Sequence, residues 1–252
     1  MISYIIPTLW KSDSIYDTIN QFMDLKDNKA ELIIIDNTNS NITYSDKRIK
    51  VCKMEENQYV NPSWNIGVDL SNNDQVAIIN DDITFNVAKF HQFILDTKPK
   101  ALCIINSNKL DEEEHYSLEP IPEDEGSINA RPAGGGQFMF CLKENWPQLP
   151  YDLKLWHGDD IFYYYHTLIK KIEVQWVKGM YVGGEQSKTV NTMPAHMRTT
   201  FTNDSLEYLK EMHILGIECS TVFPMSLKRA WLYGDIKQKL KQEKLLDSIL
   251  NG

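Results

Sequence analysis

The sequence lacks a hydrophobic run long enough to cross a membrane. Its longest apolar runs are about five to seven residues, whereas a helical span needs roughly 20. Met1 leads directly into a strand-like segment instead of a positively charged one, so a secretory leader is not expected. We therefore expect a soluble, cytoplasmic protein with no membrane insertion.

Closely spaced cysteines are absent too. The four cysteines of the chain form no C-x-x-C pair, so neither a zinc ribbon nor a disulfide framework is indicated. Internal repeats and long Gly, Pro or Ser tracts are likewise missing. The 252 residues therefore predict one principal core.

Positive charge is scarce as well. The chain carries 26 Lys and Arg against 35 Asp and Glu, a formal net charge of −9, which disfavours a general polyanion binder. The densest basic segment, residues 228–244, is explained by a solvated helix face, with contact to phosphate or to an acidic partner as the alternative.

What the chain does have is a series of short, continuous apolar runs separated by helical patterns. Continuous apolar character indicates strands buried on both faces, as in a parallel sheet. The first run is expected to stop at Pro7, which cannot donate to a ladder. The first half predicts strands at 2–6, 32–35, 49–53, 76–79 and 101–105, with helices near 13–25, 61–70 and 87–96. This order predicts an α/β fold with a doubly wound, mostly parallel sheet and helices on both faces.

The second half is less regular. An acidic, proline-containing segment at 111–131 predicts an irregular loop. We expect a strand at 137–142, a helix at 161–170, a strand at 172–177, a loop through 191–198 and helices at 204–215 and 225–250. The predicted organisation is a catalytic domain at 1–185, made of a nucleotide-binding half at 1–106 and an acceptor half at 107–185. Residues 186–252 would form a C-terminal loop and helical extension packed on the same domain.

Acidic residues stand at three predicted element ends. Asp36 follows the second strand, Asp81 and Asp82 follow the apolar run at 76–79, and Asp159 and Asp160 precede a late helix. Because ligands of open α/β sheets bind at the carboxyl ends of the strands, the first two sites should converge on one crevice. Asp36 could accept a hydrogen bond from a base or ribose hydroxyl.

These acids suit nucleotide-linked chemistry. Asp82 could hold a hard divalent cation that also binds phosphate oxygens and water, and the late pair could supply a general base. Turn formation at Asp36 and helix capping at the other two sites are the alternative explanations.

The order of the motifs resembles the GT-A fold of nucleotide-sugar glycosyltransferases, particularly the inverting family-2 type. Residues 4–8 (Tyr-Ile-Ile-Pro-Thr) look like the family's opening strand, and residues 31–37 look like its second strand with a base-contacting Asp. Residues 65–67 match the short N-x-G of the helix before the metal strand, and Asn-Asp-Asp at 80–82 stands where D-x-D or N-x-D is usual.

Two later motifs extend the resemblance over about residues 2–180. The glycine-led segment at 134–140 is similar to the family's acceptor-side strand, although a tight bend alone would also explain its glycines. Gly-Asp-Asp at 158–160 looks like the family's G-E-D catalytic motif, with Asp in place of Glu. Asn80 replaces the commoner first Asp of the metal motif, which weakens metal binding unless Asp81 or another ligand contributes.

The resemblance implies a role for each matching residue. Asp160, with Asp159, would be catalytic, and Asp82 would coordinate Mn²⁺ or Mg²⁺, with His196 as a candidate additional ligand. The nucleotide-binding residues would be Pro7, Thr8, Asp36, Asn37, Asn65 and Asp81. The residues on the acceptor or sugar side would be Trp64, Gly135, Gly136, Trp156 and His157. Core packing remains the alternative for the tryptophans, and a surface or core histidine is the alternative at His196 and His157.

The function predicted is metal-dependent transfer of a sugar, with inversion, from a nucleotide diphosphate sugar, a UDP-sugar first of all. The acceptor hydroxyl could belong to a glycan, a protein or a hydroxylated base in DNA. A DNA acceptor would require Lys188, Arg198 and the 228–244 segment to form one positive face.

Nucleotidyl transfer is a competing enzyme class, but residues 7–14 contain only Lys11 for binding phosphate. A non-catalytic sugar-nucleotide-binding protein is the third alternative.

Overall fold

The computed structural model describes residues 1–103, 112–121, 135–184 and 195–217. Several sequence-based predictions lie outside these ranges: the helix at 225–250, the basic segment at 228–244, Lys188, and Gly134 of the glycine triplet. The side chains of His196 and Arg198 are not described either.

One eight-stranded mixed sheet forms the centre of the protein, in the order β3-β2-β1-β4-β8-β6-β9-β7. Its strands are β1 (Ile2–Thr8), β2 (Glu31–Asp36), β3 (Ile49–Lys53), β4 (Gln75–Ile79), β6 (Ala101–Cys103), β7 (Ser117–Pro120), β8 (Phe138–Leu142) and β9 (Gln175–Lys178). A separate two-stranded sheet pairs β5 (Ile83–Thr84) with β10 (Gly183–Gly184).

The first four strands of the large sheet run parallel, and their carboxyl ends share one edge. β1 pairs with β2 on one side and with β4 on the other, and β3 continues the sheet beyond β2. β8 runs antiparallel to β4, with Ile79 opposite Phe138, so the start of β8 lies at the same edge as the end of β4. The mostly parallel first half with helical connections is the predicted doubly wound arrangement.

Five α-helices lie in the part of the chain that the structure describes. They are α1 (Ser14–Met23), α2 (Val60–Leu70), α3 (Val87–Thr97), α4 (Gly158–Tyr164) and α5 (Ala195–Ile214). A 3₁₀ turn at Gly135–Gln137 precedes β8, and a π-helical segment at Tyr165–Lys170 continues α4. Among the residues that the structure describes, no helix combines the length and apolar character of a membrane span.

Two apolar clusters cover the two faces of the sheet. Alternate residues of β1 divide between them, since Tyr4 and Ile6 pack with α1 and α3 whereas Ile5 packs with α2 and α4. Gly67 allows α2 to lie close to β1, because a Cβ there would stand 2.2 Å from Ile5 Cγ2. Burial on both faces explains why these strands are continuously apolar.

Three sequence-based boundaries were wrong. β1 continues through Pro7 to Thr8, because its pairing with β4 ends at Ile5 and only β2 is paired beyond that point. Residues 117–120 form an edge strand within the predicted irregular loop. α5 begins at Ala195, so residues 195–198 are helical where a loop was expected and Asp204 lies inside a helix instead of at its start.

Candidate active site

The carboxyl ends of β1 and β4 are joined by a direct side-chain contact. Thr8 Oγ1 donates a hydrogen bond of 2.6 Å to Asp81 Oδ2. Thr8 is also the register partner of Asp36 on β2, and Pro7 and Thr8 are both buried. Burial raises the pKa of Asp81, although hydrogen bonds from Thr8 and the Leu9 N–H act in the opposite direction.

Asp36 shapes the loop that follows β2. Its Oδ1 accepts from the N–H and hydroxyl of Thr38, and its Oδ2 accepts from the N–H and hydroxyl of Ser40, at 2.6–2.9 Å. Burial alone would raise the pKa of Asp36, but these bonds outweigh it and lower the pKa to about 2. The carboxylate is therefore an anion whose two oxygens are both engaged by its own loop.

Asn37 connects this edge to the start of α2. Its Oδ1 accepts from the Gln58 N–H at 2.9 Å, and its Nδ2 donates to Ser63 Oγ at 3.0 Å. Two residues before Ser63 on α2, the Nδ2 of the fully buried Asn61 donates to the Trp156 carbonyl at 2.9 Å. The helix thus links the loop after β2 to the segment that carries the late aspartates.

Asn65 points its amide to a different part of the chain. Its Nδ2 donates to the Leu149 carbonyl, and its Oδ1 accepts from the Trp146 indole and the Leu149 N–H, at 2.8–3.1 Å. The contacts that the structure describes for Asn65 therefore hold residues 146–149, and its expected place beside the diphosphate stays a prediction.

Asp82 leads directly into β5, which pairs with β10. Gly184 approaches Asp82 so closely that a Cβ there would stand 2.1 Å from the Asp82 carbonyl oxygen, and its φ is +123°. Only glycine tolerates both conditions. His196 lies in the first turn of α5, and its contribution to a metal site stays a prediction because its side chain is not described.

The glycines before β8 bring the late aspartates to this edge. The Asn80 N–H donates to the Gln137 carbonyl at 2.9 Å, so the 3₁₀ turn containing Gly135 and Gly136 lies beside the end of β4. A Cβ at Gly136 would stand 3.1 Å from Asp159 Cβ. Asp159 is half-buried in the first turn of α4.

Asp160 and the residues before it occupy the interior side of the same turn. Asp160 is 6% exposed, and its Oδ2 lies 2.8 Å from His157 Nδ1. Gly158 packs against α2, where a Cβ would stand 2.6 Å from Trp64 Cζ3. Trp64 is buried beneath this turn and Trp156 is half-buried.

These contacts close into a ring at one edge of the sheet. Thr8 bonds to Asp81, the neighbouring Asn80 bonds to Gln137, and Gly136 lies against Asp159. The ring continues from Gly158 to Asn61 and Ser63 of α2, then to Asn37, whose N–H donates to the Thr8 carbonyl at 3.0 Å. The three aspartate sites predicted from the sequence therefore lie at one edge of the sheet, where we place the candidate crevice.

The donor set of this crevice can be compared with what a metal requires. In the part of the chain that the structure describes, no three His, Cys, Asp or Glu side chains come together as a metal cage. Mg²⁺-type cations bound with phosphates need only one or two protein carboxylates, since phosphate and water supply the rest. Asp82 has a buried carboxylate oxygen at this edge, and Asp81 adjoins it. The residues fit a cation shared with a diphosphate.

Several residues of the site were missed from the sequence. Asn61 and Ser63 were assigned only to a helix start. Asp204 accepts hydrogen bonds from the N–H groups of Lys154, Leu155 and Trp156 at 2.7–2.9 Å, and burial raises its pKa although these bonds act against the shift. From the sequence, Asp204 was assigned only to the start of a helix at 204–215.

No protein-family model matches the chain, and no curated protein matches it in sequence. Solved structures do match its fold. S. aureus TarS 1–349 in complex with UDP-GlcNAc superposes with a TM-score of 0.52 and 13% identity, over 82% of this chain and 66% of that one. In a second structure of that fragment, the chain spans 64% of the fragment's length, less than two thirds.

A second neighbour has a comparable likeness. The mannosyltransferase PcManGT from Pyrobaculum calidifontis, in complex with GDP-Man and Mn²⁺, superposes with a TM-score of 0.54 and 13% identity, over 92% of this chain and 69% of that one. Together with the mixed sheet and its helices, these matches establish that the chain has a GT-A-type nucleotide-sugar glycosyltransferase fold.

Proposed function

We propose that the protein is a glycosyltransferase that moves a sugar from a nucleotide diphosphate sugar to an acceptor hydroxyl with inversion, using Mn²⁺ or Mg²⁺. A UDP-sugar is the first donor to test. The observation that supports this proposal is the ring of contacts from Thr8 through Asp81 and Asp159 to Asn37, which brings the three aspartate sites to one edge of the sheet.

The nucleotide side of the crevice is assigned to the ends of β1 and β2. Pro7, Thr8 and Asn37 line the base pocket, and Asp36 acts on it by fixing the loop at 38–40. Asp82, supported by Asp81, would hold the cation together with diphosphate oxygens. When bound, the cation neutralises charge on the leaving nucleoside diphosphate.

The acceptor side is assigned to the start of α4 and the turn before β8. Asp160 accepts the proton of the acceptor hydroxyl as that oxygen attacks the anomeric carbon. The bond from the anomeric carbon to the diphosphate breaks, and its electron pair leaves with the diphosphate. Because the new bond forms opposite the broken one, a single displacement inverts the sugar. Asp159, Gly135, Gly136 and Trp156 complete this side.

The test is a panel of UDP- and GDP-sugars incubated with the protein, with and without Mn²⁺. We expect donor hydrolysis or transfer that requires the cation, together with a raised melting temperature in the presence of a matching donor. Absence of hydrolysis, of transfer and of any shift in melting temperature across the panel would refute the proposal. Donor binding without turnover on any acceptor would instead favour a sugar-nucleotide-binding protein.

Variants of the same segment separate chemistry from binding. Asp160→Asn removes the proton acceptor and should abolish turnover while leaving nucleotide affinity within about twofold. Asp152→Asn is the matched control, because Asp152 is an exposed acid eight residues earlier, and it should leave turnover unchanged. Equal turnover by wild type and Asp160→Asn would remove Asp160 from the mechanism.

A further inference from the structure

The His157 ring is held on three sides. Its Nδ1 lies 2.8 Å from Asp160 Oδ2, and its Nε2 lies 3.1 Å from Ser205 Oγ. One face of the ring stacks on Tyr208, with 4.7 Å between the ring centroids and 15° between the planes. His157 is 8% exposed, so its two nitrogens meet protein groups in a buried setting.

α5 supplies most of this setting. Ser205 and Tyr208 belong to the same two turns as Asp204, whose carboxylate binds the three N–H groups at 154–156. Residues four apart share a face of a helix, so one side of α5 fixes both the backbone before His157 and the ring itself. The loop therefore cannot turn the ring without breaking contacts to α5.

The backbone of His157 is also strained. Its φ is +64°, in the left-handed region that a residue with a Cβ adopts at a cost of about 1 kcal/mol. Such a conformation persists only where the surroundings hold it in place. At His157 the surroundings are α5 on one side and Asp160 on the other.

We propose that His157 is a positioning residue for Asp160, and that Ser205 and Tyr208 hold its ring in the orientation that this role requires. The inference rests on the proposed function, in which Asp160 is the proton acceptor. An ionised carboxylate only accepts, so His157 Nδ1 carries the proton and donates to Asp160 Oδ2. In the neutral ring Nε2 then accepts from the Ser205 hydroxyl.

This arrangement gives His157 a different role from the sugar or acceptor contact expected from the sequence. A base that must meet a hydroxyl in one geometry loses rate when its carboxylate is free to rotate. The charged and titratable groups facing the ring are Asp160 from α4 and Asp204 and Tyr208 from α5. α5 would thereby complete the catalytic site although it lies outside the 2–180 region of the family resemblance.

The tautomer of His157 can be measured without any substrate. In ¹⁵N-histidine-labelled protein, the chemical shifts of the two ring nitrogens report which one carries the proton. We expect the Nδ1–H form in wild type and a change to the Nε2–H form in Asp160→Ala, where the contact to Asp160 is lost and the contact to Ser205 is kept. An Nε2–H ring in the wild-type protein would overturn the proposal.

Two substitutions of His157 separate its two hydrogen bonds. His157→Asn keeps an N–H near the Nδ1 position and suits a left-handed backbone, whereas His157→Gln keeps one near the Nε2 position. We expect His157→Gln to lower kcat about 10- to 100-fold with the donor KM changed less than about twofold, and His157→Asn to recover most of that loss. Unfolding free energies, measured in parallel, register any backbone strain separately from kcat.

His213→Gln is the matched control, because His213 lies on an exposed part of the same helix, and it should leave kcat unchanged. An unchanged kcat in His157→Gln, or a loss confined to the donor KM, would sink the positioning role while leaving the transferase proposal intact. If wild type turns over no sugar nucleotide, the transferase proposal fails, and the tautomer alone then decides the geometry of the His157–Asp160 pair.

Discussion

The hydroxyl of Thr8 donates to the carboxylate of Asp81 over 2.6 Å, and this bond joins the ends of two strands that are 73 residues apart in sequence. The same hydroxyl oxygen accepts the Trp10 N–H at 2.8 Å. One buried side chain thus fixes the chain leaving β1 and the acid that follows β4. The proposed nucleotide side of the site depends on both segments.

Replacing Thr8 by Val should weaken both the fold and the donor site. The substitution keeps the shape but removes a hydrogen bond to a buried acid, which contributes about 2 kcal/mol. We expect the free energy of unfolding to fall by about that amount in urea titrations at pH 7, and donor affinity by calorimetry to fall roughly tenfold. Thr8→Ser retains the hydroxyl and should lose less than half as much. A Val variant as stable as wild type would contradict this account.

Gly184→Ala should disrupt the contact between β5 and β10. The Cβ of an alanine at this position would stand 2.1 Å from the Asp82 carbonyl oxygen, and the alanine would have to adopt a φ of +123°. The backbone at Asp82 must therefore move. We expect a loss of at least about 3 kcal/mol in unfolding free energy, together with a weaker dependence of turnover on Mn²⁺.

The control for this variant is Gly216→Ala. Gly216 also has a positive φ, +69°, but nothing lies within 4 Å of an added Cβ. Only the backbone penalty of about 1 kcal/mol remains there. Equal losses for the two alanine variants would show that the close approach to Asp82 is unimportant.

The sequence predicted the strands of the sheet better than it predicted the side-chain contacts between them and the loops. The apolar runs of β1, β2 and β4 identified their strands because those strands are buried on both faces. β7 was missed because its four residues (Ser-Leu-Glu-Pro) lie at the sheet edge, where burial imposes no apolar pattern. Long-range contacts of single side chains were also missed. Asp204 acts on a loop about 50 residues away, and no local pattern reports such a contact.

The short motifs likewise predicted where residues lie in the fold, but not which residues they contact. The N-x-G at 65–67 lies on α2 as expected, but its glycine is explained by close packing on Ile5 and its asparagine by bonds to 146–149. Asp36 was predicted to face a ligand or to shape a turn, and the contacts that the structure describes for it are those of a turn. Whether a motif residue contacts a ligand or only packs within the fold can therefore be decided only from the structure.

Protonation of His166 should lower the free energy of unfolding in mild acid. It is fully buried, its Nδ1–H donates to the Phe162 carbonyl at 2.8 Å, and burial lowers its pKa to about 4. The unfolded chain binds a proton near pH 6.5, so between pH 6.5 and 4 protonation favours the unfolded state. The resulting loss is about 2–3 kcal/mol, absent above pH 6.5 and complete near pH 4.

His166→Phe isolates this effect, because Phe cannot bind a proton. Urea unfolding at pH 7 and pH 4.5 should show a smaller loss of stability for the variant than for wild type, by about 2 kcal/mol. His213→Gln, at an exposed position, should follow the wild-type profile. Parallel profiles for wild type and His166→Phe would show that the buried ring does not titrate in this range.

Asp36 should cause a further loss of stability in stronger acid. Its folded pKa of about 2 lies below the unfolded value near 3.9, so ionised Asp36 stabilises the fold above pH 4, and this stabilisation is lost as the pH falls from 4 to 2. Asp36→Asn keeps one acceptor oxygen of two and should cost about 2 kcal/mol at pH 6. The difference from wild type should shrink toward pH 2 in urea titrations.

Asp17→Asn is the control, because Asp17 lies at an exposed position on α1. It should change the free energy of unfolding by less than about 0.5 kcal/mol at either pH. If the cost of Asp36→Asn is the same at pH 6 and pH 2.5, the four hydrogen bonds of its loop do not depend on the charge.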